Sequence, residues 1–287
     1  MTRARALAAA LLSSCLAAGT SRPDELHFGP GERASFRITY LKLLAGRASL
    51  SVDPAFVAGR FHLVAEARSQ GFFAWLFRFR VDDRTVADWD PETGCSWGIE
   101  KRLHEGRAVR DQVVSIDPTT GVAHVRDPKI KQERFDLAPC VLDVLSAFYA
   151  LRVRGVSEGA LLELPVFDNG KHYRLGVRFL GRELLDLPAP FGKRTPTIVV
   201  EPQLLEGTGL FVKKGRLKIW LTDDERRVPV RMRSRVALGS VSADLEAYER
   251  GSPGAAGALG AESSNRFDEP PSPPGTVRAR TGQGDQP

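Results

Sequence analysis

Short runs that alternate apolar and polar residues constrain this chain more than any other feature. Phe36, Ile38 and Tyr40 alternate with Ser35, Arg37 and Thr39. Phe61, Leu63, Ala65 and Ala67 alternate with His62, Val64, Glu66 and Arg68. A period of two puts successive side chains on opposite faces, which suits strands buried on one side. Gly46, Gly59, Gly94, Gly106 and Gly121 punctuate these runs at hairpin-like intervals. Asp117-Pro118-Thr119-Thr120-Gly121 reads as a turn between strands at 109–116 and 122–125. Further on, Asp168-Asn169-Gly170 joins strands at 161–167 and 172–180, because Asn-Gly tolerates the positive φ of a tight hairpin. Strands at 215–221, 228–236 and 240–248 read as a closing meander, joined by turns at 222–227 and 238–239.

One segment breaks the pattern. Within 140–154, Val141, Val144, Leu145, Phe148 and Leu151 recur at helical spacing, with Pro139 before them and Gly155 as C-cap. This predicts a single helix whose apolar face packs on a sheet, with Phe148 buried and with Asp143 and Arg152 on other faces. The expected fold is mainly β. It is a curved antiparallel sheet, or partly closed β-barrel, with one apolar helix packed on or inside it.

The N-terminus carries Arg3 and Arg5, then the apolar run 6–12, then small residues around Cys15-Leu16-Ala17-Ala18-Gly19. This reads as a secretory signal over residues 1–19. The tetrad Leu12-Ser13-Ser14-Cys15 also fits a lipobox, in which Cys15 is acylated; chance placement of a Cys in an ordinary leader fits equally. No later stretch is long and apolar enough to span a bilayer. Residues 20–250 are expected to form one β-rich domain behind a polar lead-in at 20–30. Gly and Pro make up 13 of the 37 residues in the tail 251–287, too little apolar surface to offset the entropy of ordering.

The net charge of +6 is spread along the chain without a basic stripe, which argues against nucleic acid. Gly155-Val156-Ser157-Glu158-Gly159 matches a nucleophile elbow in letters, but a helix precedes it and a strand follows, the reverse of what the motif needs. The five His residues show no metal-ligand spacing. Asp82-Asp83 and Asp223-Asp224 read as polar turns. No catalytic, cofactor or metal residue is assigned. Cys95 and Cys140 are candidates for a disulfide, since an exported chain meets an oxidising compartment; two reduced thiols are the alternative. Phe72, Phe73, Trp75, Leu76 and Phe77 form a dense patch between two strands. It is either a hydrophobic lip touching lipid or an acyl ligand, or a lid filling the end of the core.

Several stretches together resemble the bacterial domain-of-unknown-function family 3108. They are Phe28-Gly29-Pro30-Gly31-Glu32 with the strand through Tyr40, Ala45-Gly46-Arg47-Ala48, residues 100–106, residues 143–152, and residues 219–224 continuing through Arg227-Val228-Pro229-Val230 to Gly239-Ser240. The resemblance implies an exported, β-rich envelope protein, periplasmic or associated with the outer membrane, and implies no activity. The leading expectation is a non-enzymatic protein that holds or presents a lipid or acyl ligand in an apolar cavity. The rival is a structural or assembly partner of an outer-membrane or polysaccharide-export machine, with a packed core. An open apolar interior would favour the first and a filled interior the second.

Overall fold

The computed structural model describes residues 26–57, 59–70, 80–106, 108–207, 217–236 and 239–252. The leader 1–19 with Cys15, the aromatic patch 72–77 and nearly all of the tail lie outside these residues. The strands in chain order are β1 (Arg33–Tyr40), β2 (Leu43–Val57), β3 (Arg60–Ser69), β4 (Asp82–Trp89), β5 (Ser96–Glu105), β6 (Ala108–Asp117), β7 (Val122–Arg126) and β8 (Arg134–Asp136). After the helix α1 (Val144–Arg154) come β9 (Leu161–Asp168), β10 (Lys171–Leu187), β11 (Gly192–Gly207), β12 (Leu217–Thr222), β13 (Pro229–Val236) and β14 (Gly239–Glu249).

All fourteen strands form one antiparallel sheet in the order β8-β7-β6-β5-β4-β3-β2-β1-β14-β13-β12-β11-β10-β9. Every neighbour in space is a neighbour in sequence except at the β1–β14 joint, where the first and last strands meet in mid-sheet. The sheet curls but does not close. Its free edges, β8 and β9, flank the helix in sequence. They lie side by side through side chains, with the Phe135 and Phe167 rings 5.2 Å apart.

Turn chemistry was local enough to read. Asn169 and Gly170 take φ of 52° and 70° in the β9–β10 hairpin, and the Asp117 side chain holds the amides of Thr119 and Thr120 in the β6–β7 turn. Strand β11 and the second half of β10 lie where no strand was expected, in a stretch that Pro188, Pro190, Pro196 and Pro202 punctuate. The structure resolves the conflict. Only Thr197–Val200 of β11 pair with β12, so Pro196 and Pro202 both fall outside that ladder and no missing N–H is felt.

The main core unites the concave face with α1. It includes Phe61 and Leu63 of β3, Trp89 of β4, Ile99 of β5, Val166 and Phe167 of β9, and Leu145, Tyr149 and Leu151 of the helix. A second cluster joins Phe36, Trp220, Val230, Leu245 and Tyr248 with Leu185, Leu187 and Phe191 from the β10–β11 tip. Along β12, Ile219 and Leu221 enter the first cluster while Trp220 enters the second, so this strand is covered on both faces.

Candidate functional site

Two expectations about the interior need correction. The helix starts at Val144, capped by Asp143, rather than at Cys140, which sits in a turn at φ 59°. Its burial does not follow the expected stripe. Val141, Leu145 and Leu151 are buried, but Val144 and Phe148 are only half-buried, while Tyr149 and Arg152 are almost wholly enclosed. The cause is electrostatic. Arg152 is drawn inward to a buried carboxylate, and a helix rotated to present Arg152 also presents Tyr149, one turn earlier.

That carboxylate belongs to Glu32. The Arg152 guanidinium donates to it through both terminal nitrogens, at 2.7 and 3.1 Å, and also donates to the carbonyls of Arg226 and Arg227. Tyr248 donates its hydroxyl to Glu32 at 3.3 Å. The guanidinium lies over the rings of Phe28 and Tyr149 at 4.4 and 5.2 Å. Phe28, expected in a polar lead-in, is in fact 2% exposed and packs among Phe61, Trp89 and Tyr149. Arg227 answers by donating to the carbonyls of Arg152 and Val153 at the helix C-terminus. Burial works against the charge on Arg152, but Glu32 outweighs it and holds the guanidinium above its ordinary pKa. Burial, helped by Glu32, pushes the Tyr248 phenol up to about 12, and burial raises the Tyr149 phenol further. Arg152 and these two phenols therefore keep one protonation state across neutral pH. With Glu32, Arg152 and Tyr248 cross-link α1, the segment before β1, the β12–β13 turn and β14.

A second buried pair spans the seam, where the β8 and β9 edges face each other. Lys101 of β5 donates to Asp168 at the end of β9, and Asn169 donates to the other oxygen at 2.8 Å. Burial first, then Asp168 and Asp143, raise the phenol of Tyr173 nearby. The helix N-terminus is equally tied down. Asp143 accepts from the amides of Leu145 and Ser146 and from the hydroxyls of Ser96 and Ser146, so its substitution is not the neutral change its expected outer face implied. Beside it, Cys95 and Cys140 are joined as a disulfide across a separation of 45 residues.

Of the remaining motifs, all but Asp82-Asp83 lie in the elements their plain readings gave them. Ser157 lies in the loop after the Gly155 cap, whose N–H returns to Leu151 at 2.9 Å. His62 pairs with Asp88 at 2.8 Å. Asp223 and Asp224 occupy the β12–β13 turn, held to Arg182 and Arg226. Asp82 and Asp83, expected in a turn, instead open β4. No group of three metal-ligating side chains occurs among the described residues. Two open clefts, of about 290 and 200 Å³, have linings of mixed polar and apolar character. The larger is bordered by Glu32, Arg33, Asp53, Glu66, Arg84 and Glu249, the smaller by Asp223, Asp224, Arg226 and Phe191.

Sequence reading missed the Glu32–Arg152 and Lys101–Asp168 pairs, whose members lie 120 and 67 positions apart. It also passed over Leu41-Lys42-Leu43-Leu44, three leucines at a hairpin turn, although that concentration was visible.

The family model described as "Protein of unknown function (DUF3108)" matches residues 35–246. The chain belongs to that family. No curated protein matches it. Among solved structures, the DUF3108 chain is similar to a β-barrel-like protein of domain of unknown function DUF1849 from Brucella abortus. That match has a TM-score of 0.52 and 12% identity, covering 76% of this chain and 97% of the other. A duf1089 family protein from Pseudomonas aeruginosa aligns with a TM-score of 0.33 and 13% identity, over 67% and 90% of the respective chains. The first likeness is one of fold alone: a curved β-sheet architecture recurs in another domain of unknown function. The DUF3108 match spans β1 to β14 and so takes in both free edges and the helix between them.

Proposed function

We propose that this DUF3108 protein is an exported, non-enzymatic envelope protein that acts through its surface as a structural or assembly partner. One observation carries the reading. Among the described residues, α1 and Phe28 share one buried core with strands from both halves of the sheet, and the Glu32–Arg152 pair is buried beside them, where a carrier of this architecture would hold its ligand. The leader at 1–19 and the Cys95–Cys140 bond agree with residence outside the cytoplasm. The test is native mass spectrometry of the protein extracted from the envelope under mild detergent. The expected spectrum contains the processed polypeptide, with a covalent acyl group if Cys15 is lipidated, and no stoichiometric non-covalent lipid. A retained lipid or acyl ligand that survives to one per chain would restore the carrier reading.

A further inference from the structure

Five of the exposed large apolar side chains gather at one end of the sheet, apart from Leu161, Leu180 and Leu184 on β9 and β10. At this end β1 turns into β2 at Leu41-Lys42, and β13 turns into β14 between Val236 and Gly239. The two turns stand side by side, because β1 and β14 are paired and Tyr40 lies opposite Val241. Leu41 lies directly over Gly239, where a Cβ would come within 2.4 Å of the Leu41 side chain. Leu41, Leu43 and Leu44 are 55, 57 and 42% exposed, and Val236 is 36% exposed. Val109, at the start of β6 and on the same rim, is also exposed.

The β1–β2 turn is unusual in its choice of residues. Leu41 and Lys42 take φ of 49° and 69°, the left-handed pair of a two-residue hairpin that Asn-Gly normally fills. Here the chain accepts a conformation unfavourable to leucine, and the result is a leucine and a lysine projected at the very tip. Packing does not require them, since all three leucines remain exposed. Charge follows the same rim. Lys42, Arg80 and Arg235 are exposed there. The nearby carboxylates Glu246 and Asp82 are engaged by Arg47 and Arg68, which leaves Glu105 as the exposed acid of the adjoining β5–β6 turn.

We infer that this rim is a docking surface for a lipid bilayer bearing anionic headgroups. The inference rests on the envelope location proposed above. Among the described residues, the three leucines of this hairpin border neither of the two clefts and project beside Lys42 and Arg235. They suit shallow entry into the headgroup boundary, where apolar side chains insert by a few ångströms and flanking Lys and Arg meet the phosphates. Tyr40, half-buried at the base of the tip, is the residue type that suits the same depth.

The test is co-sedimentation of the processed full chain with vesicles of phosphatidylcholine alone, or of an equimolar mixture with phosphatidylglycerol. Every variant keeps the same N-terminus, so any acyl contribution cancels in the comparison. The wild-type chain is expected to bind the mixed vesicles more tightly, and to release from them as salt is raised. Replacing the three leucines together (Leu41→Ser, Leu43→Ser, Leu44→Ser) should weaken partitioning by roughly tenfold or more, given the apolar area withdrawn. Lys42→Glu with Arg235→Glu should weaken binding to the mixed vesicles, with little effect on phosphatidylcholine. Thermal melts of each variant check that the fold is intact; Leu161→Ser, a change at an exposed leucine outside this rim, serves as the matched control and should bind as wild type. Binding unchanged by the triple substitution, or lost equally with Leu161→Ser, overturns the inference. These outcomes read the rim in purified protein, so they stand apart from any failure of the assembly reading in the cell.

Discussion

Arg152 is 2% exposed and carries a full charge, and this arrangement has consequences for substitution. An isolated guanidinium in that setting would cost several kcal/mol, so its partners decide its worth. Arg152→Ala removes the cation but leaves Glu32 buried beside Tyr248, with its main counter-charge gone. The expected loss is about 3–5 kcal/mol, the range for breaking a buried pair. Phe148→Ala should cost less, because that ring is only half-buried and its removal opens a smaller cavity. Replacing both partners with apolar residues, Glu32→Leu with Arg152→Met, should recover much of the single-variant loss, since no unpaired charge remains. Urea unfolding of the single and double variants measures this. An Arg152→Ala cost below that of Phe148→Ala, or a double variant as weak as the sum of its parts, would show that the pair does not hold the helix.

At the scale of elements, the connector from β8 to α1 does more than join them. Ser96 donates its amide to the Val141 carbonyl, and Leu142 exchanges hydrogen bonds with Pro165 and Phe167 of β9. The disulfide fixes the same connector to the β4–β5 turn. For a loop of 45 residues, the chain-entropy account puts the bond's contribution near 4 kcal/mol, and measured values usually fall at or below this. The Cys95→Ser, Cys140→Ser double variant is therefore expected to lose about 2–4 kcal/mol, with the wild type falling to the same level under reductant. Equal stability of oxidised and reduced wild type would refute this. The legibility of the elements divides along the same line. Hairpins at 117–121 and 169–170 were readable because their turn residues act within four positions. The rotation of α1 was not, because Glu32 and Ser96 decide it from far away in sequence. The helical spacing of Val144 and Phe148 predicted a buried face, and it could not say that a buried ion pair would turn those two side chains partly outward. The rim leucines were legible as letters. Their exposure depended on which hairpin turned at which end, and that follows only from the full register.

For the molecule as a whole, the order of pairing predicts the order of opening. The first and last strands meet at the β1–β14 joint, which lies in the middle of the sheet and is paired from Arg33 with Glu249 to Tyr40 with Val241. That joint cannot open without separating the sheet into halves, so its amides should exchange only through global unfolding, at about 5–15 kcal/mol. The free edges come from mid-sequence. Strand β8 has three residues, pairs with β7 on one side, and among the described residues has no strand on the other. A short edge strand resists pairing with other chains but has few bonds to lose, so it should open locally at low cost. Strand β9 is also an edge, but Leu142 covers part of it and Lys101 anchors its end. Phe167, whose amide donates to Leu142, should therefore be much better protected than Phe135 on β8. Native-state hydrogen exchange, read residue by residue, tests the ranking: β1 and β14 slowest, β9 near Phe167 intermediate, β8 fastest. Asp168→Asn should then raise exchange at β9 while leaving β1 unchanged, because it loosens the seam and not the joint. If β8 proves as protected as β1, the edges pair in solution and the sheet is a closed barrel. If Asp168→Asn accelerates β1 and β9 alike, the seam and the joint open as one unit, and the unclosed edge carries no separate mobility.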